Sequence, residues 1–160
     1  MTDNIDKPGH LARRFQQVAV AVFRVEVEAA GYDLTPVQYA ALTTVAAQPE
    51  IDQATLAGLI AYDRTTITGV VDRLAQKGLL LRQANDRDRR VRELRITDAG
   101  RQVLEGIEPA VQAAQRTMLR GLTADEAEML MKLLRKAIAA GNDLSRAPQR
   151  QISADQAKLE

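Results

Sequence analysis

The chain of 160 residues has no cysteine, no tryptophan and one histidine, His10. Without cysteine there is no disulfide, no thiolate nucleophile, no zinc–thiolate site and no thiol-based oxidant sensor. One imidazole cannot build a histidine-rich metal centre, so neither a metal nor a cofactor is expected. Aromatic residues make up only 3%, so the core must come from Leu, Val, Ile and Ala, which suits helices packed on helices. No apolar run approaches the roughly 18 residues of a membrane span. The opening M-T-D-N-I-D-K-P-G-H is polar, so no signal peptide is expected and the chain reads as cytoplasmic. Catalytic signatures are also missing: there is no G-x-S-x-G, no H-E-x-x-H and no phosphate-cradling glycine loop. The pairs Asp125/Glu126 and Glu105/Glu108 fall at helix starts or on polar helix faces, where solvation accounts for them. An enzyme is not expected.

What is present is a soluble globular composition, 46% hydrophobic and 27% charged, with a net charge of +1. That charge is unevenly spread. Residues 61 to 96 hold nine Arg/Lys against five Asp/Glu, and the remainder holds thirteen against sixteen. A basic block in an otherwise slightly acidic chain is the footprint of a surface that meets phosphates, although a solvated loop has the same composition.

Leu11, Phe15, Val18, Val22, Val25 and Ala29 recur at alternating spacings of four and three. That is a narrow seam on a helix that packs against another long helix. Thr35-Pro36-Val37-Gln38 is a helix start with a capping box, and Tyr39, Leu42, Val45 and Ala46 give that helix its buried face. Asp52 caps a short helix carrying Leu56, Leu59 and Ile60. After a break at Ala61-Tyr62, Asp63 caps a second helix with Ile67, Val70, Val71 and Leu74, ended by Gly78. Two such helices joined by a tight turn form a helix-turn-helix. Leu79–Ala84 and Val91–Ile96 then read as strands flanking the polar turn N-D-R-D-R-R, five of whose six residues are charged. A hairpin placed there makes a wing.

Thr97 opens a long helix with Val103, Ile107, Val111, Ala114 and Met118 on one face, which Pro109 kinks or divides in two. Thr123-Ala124-Asp125-Glu126 is a second capping box, and Ala127, Leu130, Met131, Leu134 and Ile138 line the last helix. The terminal helices carry more apolar surface than a small winged domain needs, which predicts a homodimer built from them. The expected fold is therefore mainly α with a small β-wing. A flexible arm (1–8) and an N-terminal dimerisation helix (9–34) precede a winged helix-turn-helix core (35–100). C-terminal dimerisation helices (101–144) and a disordered tail (145–160) follow.

The segment from Leu34 to Gly100 resembles the winged helix-turn-helix core of MarR-type regulators. The resemblance rests on L-T-P-V-Q-Y-A-A-L at 34–42 and T-T-I-T-G-V-V-D-R-L-A-Q-K-G-L-L-L-R at 65–82. N-D-R-D-R-R at 85–90 and L-R-I-T-D-A-G at 94–100 complete it, in the same order and spacing. With the flanking helices it extends over about residues 10 to 144. The family wing runs Asp, any residue, Arg, Asp, any residue, Arg. Arg87, Asp88 and Arg90 match it, and Asn85 replaces the first Asp. The resemblance implies a homodimer that binds pseudo-palindromic double-stranded DNA, commonly as a repressor, and releases it when a small, often aromatic, acid binds.

On that basis the helix after Asp63 enters the major groove, with Arg64, Thr65, Thr66 and Thr68 toward bases and phosphates. Helix capping is the other role open to Thr65 and Thr66. Gly69 allows something to approach the backbone closely. Arg73, Lys77 and Arg82 contact phosphates or pair within the chain, Arg73 with Asp72 or a wing carboxylate. Arg87 and Arg89 reach the minor groove, and Asp88 orients Arg90 or another arginine. For the small-molecule effector, His10 and Arg14 share a face of the first helix and Tyr39 offers a ring or a hydroxyl. A winged helix that docks an acidic protein partner is the rival to DNA binding, and salt dependence separates the two.

Overall fold

Five helices begin at a Thr or Asp whose side-chain oxygen accepts from the backbone N–H three residues on. Thr35 caps α2 (Pro36–Ala47), Asp52 α3 (Gln53–Leu59), Asp63 α4 (Arg64–Gln76), Thr97 α5 (Asp98–Met118) and Thr123 α6 (Ala124–Gly141). Each bond satisfies one of the orphan amides of a helix start, so the boundaries are set locally. Thr35/Gln38 and Thr123/Glu126 form the two reciprocal capping boxes the sequence predicts. Helix α1 (Pro8–Ala29) opens on Pro8 without a side-chain cap. The computed structural model describes residues 6–85 and 92–150.

The strands β1 (Ile51–Asp52), β2 (Leu80–Ala84) and β3 (Arg92–Ile96) form an antiparallel sheet in the order β1-β3-β2. Leu80 faces Ile96, Arg82 faces Leu94, and Ile51 faces Leu94 from the other side. The expected hairpin is therefore present with an additional strand. β1 is two residues long, too short to show the alternation by which a strand is recognised.

The core of the winged unit gathers Leu42, Leu56, Ile67, Leu74, Leu80 and Leu94, all fully buried. Gly78, at φ 70°, turns the chain from α4 into β2 in the left-handed region that glycine enters without a Cβ penalty. Gly100 sits where α5 crosses the carbonyl of Leu79, and a Cβ there would collide with that oxygen.

Helix α1 packs along α5, burying Phe23 and Val27 against Ile107, Val111 and Ala114. Of the heptad-like seam Val22 packs against this core, while Leu11, Val18 and Val25 stay 52%, 45% and 64% exposed. Helix α5 runs unbroken through Pro109, so of the two expected outcomes, a kink or a division in two, the division does not occur. The exposed ring removes one backbone bond, and the rest of the helix is held by its packing on α1. Helix α6 buries none of its residues.

A 3-10 turn (Asn142–Leu144) ends α6, and the first six residues of the tail expected to be disordered fold back. The backbone N–H of Arg150 donates to the carbonyl of Gly58 at 2.8 Å, and the Gln149 amide donates to that of Leu59 at 2.9 Å. This contact spans about ninety positions of sequence, and no local pattern encodes it.

Candidate nucleic-acid interface

Helix α4 divides cleanly by face. Ile67, Val70, Val71 and Leu74 point into the core, while Arg64, Thr65, Thr66, Thr68 and Arg73 are exposed. The 3.6-residue period thus places the predicted DNA-contact residues of this helix outward. Their hydroxyls are not equally free. Thr66 donates its backbone N–H to Asp63 Oδ1 (2.9 Å) and its hydroxyl to Asp63 Oδ2 (2.7 Å). These bonds, the backbone one first, hold the Asp63 carboxyl below its ordinary range. Thr68 donates to the Arg64 carbonyl at 2.9 Å and accepts from Gln53 Nε2 at 2.8 Å. Thr66 is therefore a capping residue and Thr68 a bridge to α3. Among the described residues Arg64, Thr65 and Arg73 have no side-chain hydrogen bond or ion pair.

Asp72 pairs with Arg82 of β2, Nη1 to Oδ1 at 2.5 Å, and not with its neighbour Arg73. A second Arg82 nitrogen donates to Gln53 Oε1 at 3.4 Å. Arg82 thus braces the wing strand against α4 and α3. Lys77 is likewise an internal tie, with Nζ 2.7 Å from Asp33 Oδ2. That bond, with the lysine charge, lowers the Asp33 carboxyl.

Arg87, Asp88, Arg89 and Arg90 lie outside the described residues. The base of the wing is described. There the Asn85 amide donates to the buried Glu93 carboxylate, and Arg95 reaches Glu50 at 2.6 Å and Glu93 at 4.0 Å. An Asp in place of Asn85 would set two carboxylates against each other.

Above α4 lies a cavity of about 450 Å³, lined by Gln16 and Val20 of α1, by Thr35, Pro36 and Val37, and by Tyr62. Thr65, Thr66, Gly69, Val70 and Arg73 of α4 complete it. A Cβ on Gly69 would meet nothing within 4 Å, so this glycine admits no close neighbour and faces open space. Neither His10, Arg14 nor Tyr39 lines the cavity. The Tyr39 hydroxyl donates to Glu108 Oε2 at 3.1 Å, and its ring lies 5.9 Å from that of Phe23. Burial and then the Glu108 carboxylate push this phenol up. Arg13, not Arg14, shares the face of Gln16 and Val20 by helical spacing. The walls come from three helices, so no single stretch of sequence pointed to them. Among the described residues no group of three His, Asp or Glu side chains is placed to hold a metal ion.

The sequence profile described as "MarR family" matches residues 34–91, spanning the helix-turn-helix and reaching the wing. The transcriptional regulator HosA of Escherichia coli is 30% identical over 131 residues, 82% of this chain and 94% of its own. The chain belongs to the MarR family. Two solved MarR-type structures superpose on it. PcaV of Streptomyces coelicolor, in complex with its natural ligand, has 34% identity and a TM-score of 0.79 over 88% of this chain and 98% of its own. BpsR of Bordetella bronchiseptica, whose DNA binding is regulated by 6-hydroxynicotinic acid, has 28% identity and a TM-score of 0.79 over 86% and 96%. MarR family proteins are transcription regulators and not enzymes, and this chain is a DNA-binding regulator of that type. Among the described residues no helix is long and apolar enough to cross a membrane.

Proposed function

We propose that this chain is a repressor that binds a pseudo-palindromic operator as a homodimer and is released by a small aromatic acid. The observation that carries the ligand response is the shared helix. Thr65, Thr66, Gly69 and Arg73 of α4 form one wall of the cavity while Arg64 and Thr65 are presented outward for DNA. A ligand in that space bears directly on the helix that reads the major groove. Arg73, which has no partner among the described residues, supplies the cation for a carboxylate, and Val20, Pro36, Val37 and Tyr62 supply apolar walls for a ring. The effect of 6-hydroxynicotinic acid on BpsR supports this class of ligand.

Dimerisation follows from uncovered apolar surface. Helix α6 leaves Leu133 54% and Ile138 60% exposed, alongside the open α1 seam. Apolar rows on two long helices are covered when two copies interdigitate. Each copy then offers one α4 to successive major grooves about 34 Å apart, with Arg87 and Arg89 of the wing toward the flanking minor groove and Arg90 also on the DNA. A ligand acts by favouring a spacing that no longer matches DNA, through its differential affinity for the two arrangements.

The test is fluorescence anisotropy of the purified protein on DNA from upstream of its coding sequence, across a salt series, with and without 6-hydroxynicotinic acid or benzoate. Tight, salt-steep binding that the acid releases is expected. Val20→Trp, which fills the cavity from the α1 side, should keep DNA binding and lose the release. Salt-indifferent or absent DNA binding would overturn the assignment in favour of docking to an acidic protein.

A further inference from the structure

The last helical carbonyls of α3 have no partners within their own helix, as at any helix end. Here all four are satisfied. Leu56 and Ala57 accept from the amides of Ile60 and Tyr62 at 3.1 and 3.0 Å. Gly58 and Leu59 accept from Arg150 and Gln149, at 2.8 and 2.9 Å. The C-terminal segment therefore completes the cap of the first helix of the helix-turn-helix. It does so beside Ala61, a non-glycine residue at φ 56° whose left-handed turn aims α4.

The segment holds its own shape. Asn142 clamps it through two bonds to Gln149, its amide donating to the Gln149 carbonyl at 3.0 Å and its oxygen accepting from the Gln149 N–H at 2.8 Å. Pro148 limits the intervening backbone. The stem of Arg150 lies directly on α3, where only the missing Cβ of Gly58 makes room: an added Cβ would stand 2.7 Å from Arg150 Cδ.

This arrangement puts charge at the head of the reading helix. Arg146 and Arg150 line one shallow recess of about 320 Å³ together with Asp63 and Arg64. Asp63, the one acid lining it among the described residues, is already engaged by the N–H and hydroxyl of Thr66. Arg64, Arg146 and Arg150 are exposed and form no ion pair among the described residues. Three guanidinium groups beside a helix N-terminus make a phosphate-binding surface.

We infer that residues 142–150 belong to the DNA interface: a strap that caps α3 and lays Arg146 and Arg150 on the DNA backbone next to the recognition helix. Its partner is duplex phosphate, and the contact carries affinity rather than sequence. Because this takes α4 as the DNA-reading helix, the test must separate failure of the strap from failure of that assignment. The full-length protein is titrated against a labelled mixed-sequence DNA duplex over a salt series, since non-specific binding depends on phosphate contacts alone. Arg146→Gln with Arg150→Gln keeps both backbone and Gln149 caps and removes only the charges. The slope of log K against log salt should fall by about 0.9 for each phosphate no longer neutralised, so by nearly two, with unfolding temperature unchanged. Gln149→Ala keeps both charges and loosens one cap, and should lower the slope less. A salt-steep wild type with an unchanged slope in the double variant overturns the strap and leaves the regulator intact. A purely structural strap would show the opposite pattern, with Gln149→Ala damaging binding and the double variant silent. A wild type that binds no duplex at any salt removes both.

Discussion

Asp72 on α4 holds Arg82 on the first wing strand at 2.5 Å, joining the two elements that the proposed DNA contact would use together. Both side chains keep partial contact with water, so the pair is worth at most about 1 kcal/mol. A double-mutant cycle of Asp72→Ala and Arg82→Ala by urea unfolding should show a coupling of about 0.5–1 kcal/mol that salt weakens. As a brace, Arg82 and Asp72 should affect DNA affinity alike. Loss of affinity in Arg82→Ala alone would make Arg82 a phosphate contact.

Asn85→Asp should destabilise the wing, because it replaces a donor to the buried Glu93 carboxylate with a second carboxylate. The expected cost at neutral pH is about 1–3 kcal/mol. It should shrink in acid, where one of the two carboxyls takes a proton. Paired unfolding curves of variant and wild type at about pH 4, within the carboxylate range, and about pH 7, above it, check this. A gap that does not narrow in acid would contradict the pairing.

Two glycines should respond in opposite directions. Gly69→Ala meets no atom within 4 Å and removes a mid-helix glycine, so stability should rise by up to about 1 kcal/mol. Gly100→Ala drives a methyl into the Leu79 carbonyl and toward Ile96, and should cost about 1–3 kcal/mol or more. Thermal unfolding of the two variants decides it.

Acid should weaken the fold through two of its caps and one ion pair. Asp63 and Asp33 are held low by hydrogen bonds, from Thr66 and Lys77 respectively. For Asp52 burial opposes the shift, but bonds from Thr55 prevail and the carboxyl is lowered. A lowered native value means the unfolded chain binds more protons. This stability is therefore present above the unfolded value of about 4 and lost as pH falls through the native values. Tyr39 acts at the other end. Burial raises it, so its contribution is present below about 10 and lost as pH rises through its native value. Asp52→Ala should cost about 1 kcal/mol at neutral pH and flatten the acid limb, whereas Tyr39→Phe should flatten the alkaline one. A pH series of denaturant midpoints reads both.

Much of this fold is written over short distances. Thr35, Asp52, Asp63, Thr97 and Thr123 each bond an amide three residues away, and the apolar period of α4 follows from the helix itself. Helix starts, the helix-turn-helix and the wing are therefore legible in the chain, as is the outward face of Arg64, Thr65, Thr66, Thr68 and Arg73. Tertiary structure decided which of those groups remain available. Asp72 chose Arg82 over its neighbour Arg73, and Tyr39 turned to Glu108. The cavity was assembled from α1, α2 and α4, and Arg150 returned to Gly58. Such partners lie from ten to about ninety positions apart. Their meeting depends on how whole helices pack, a property of summed burial over the core that no local spacing records.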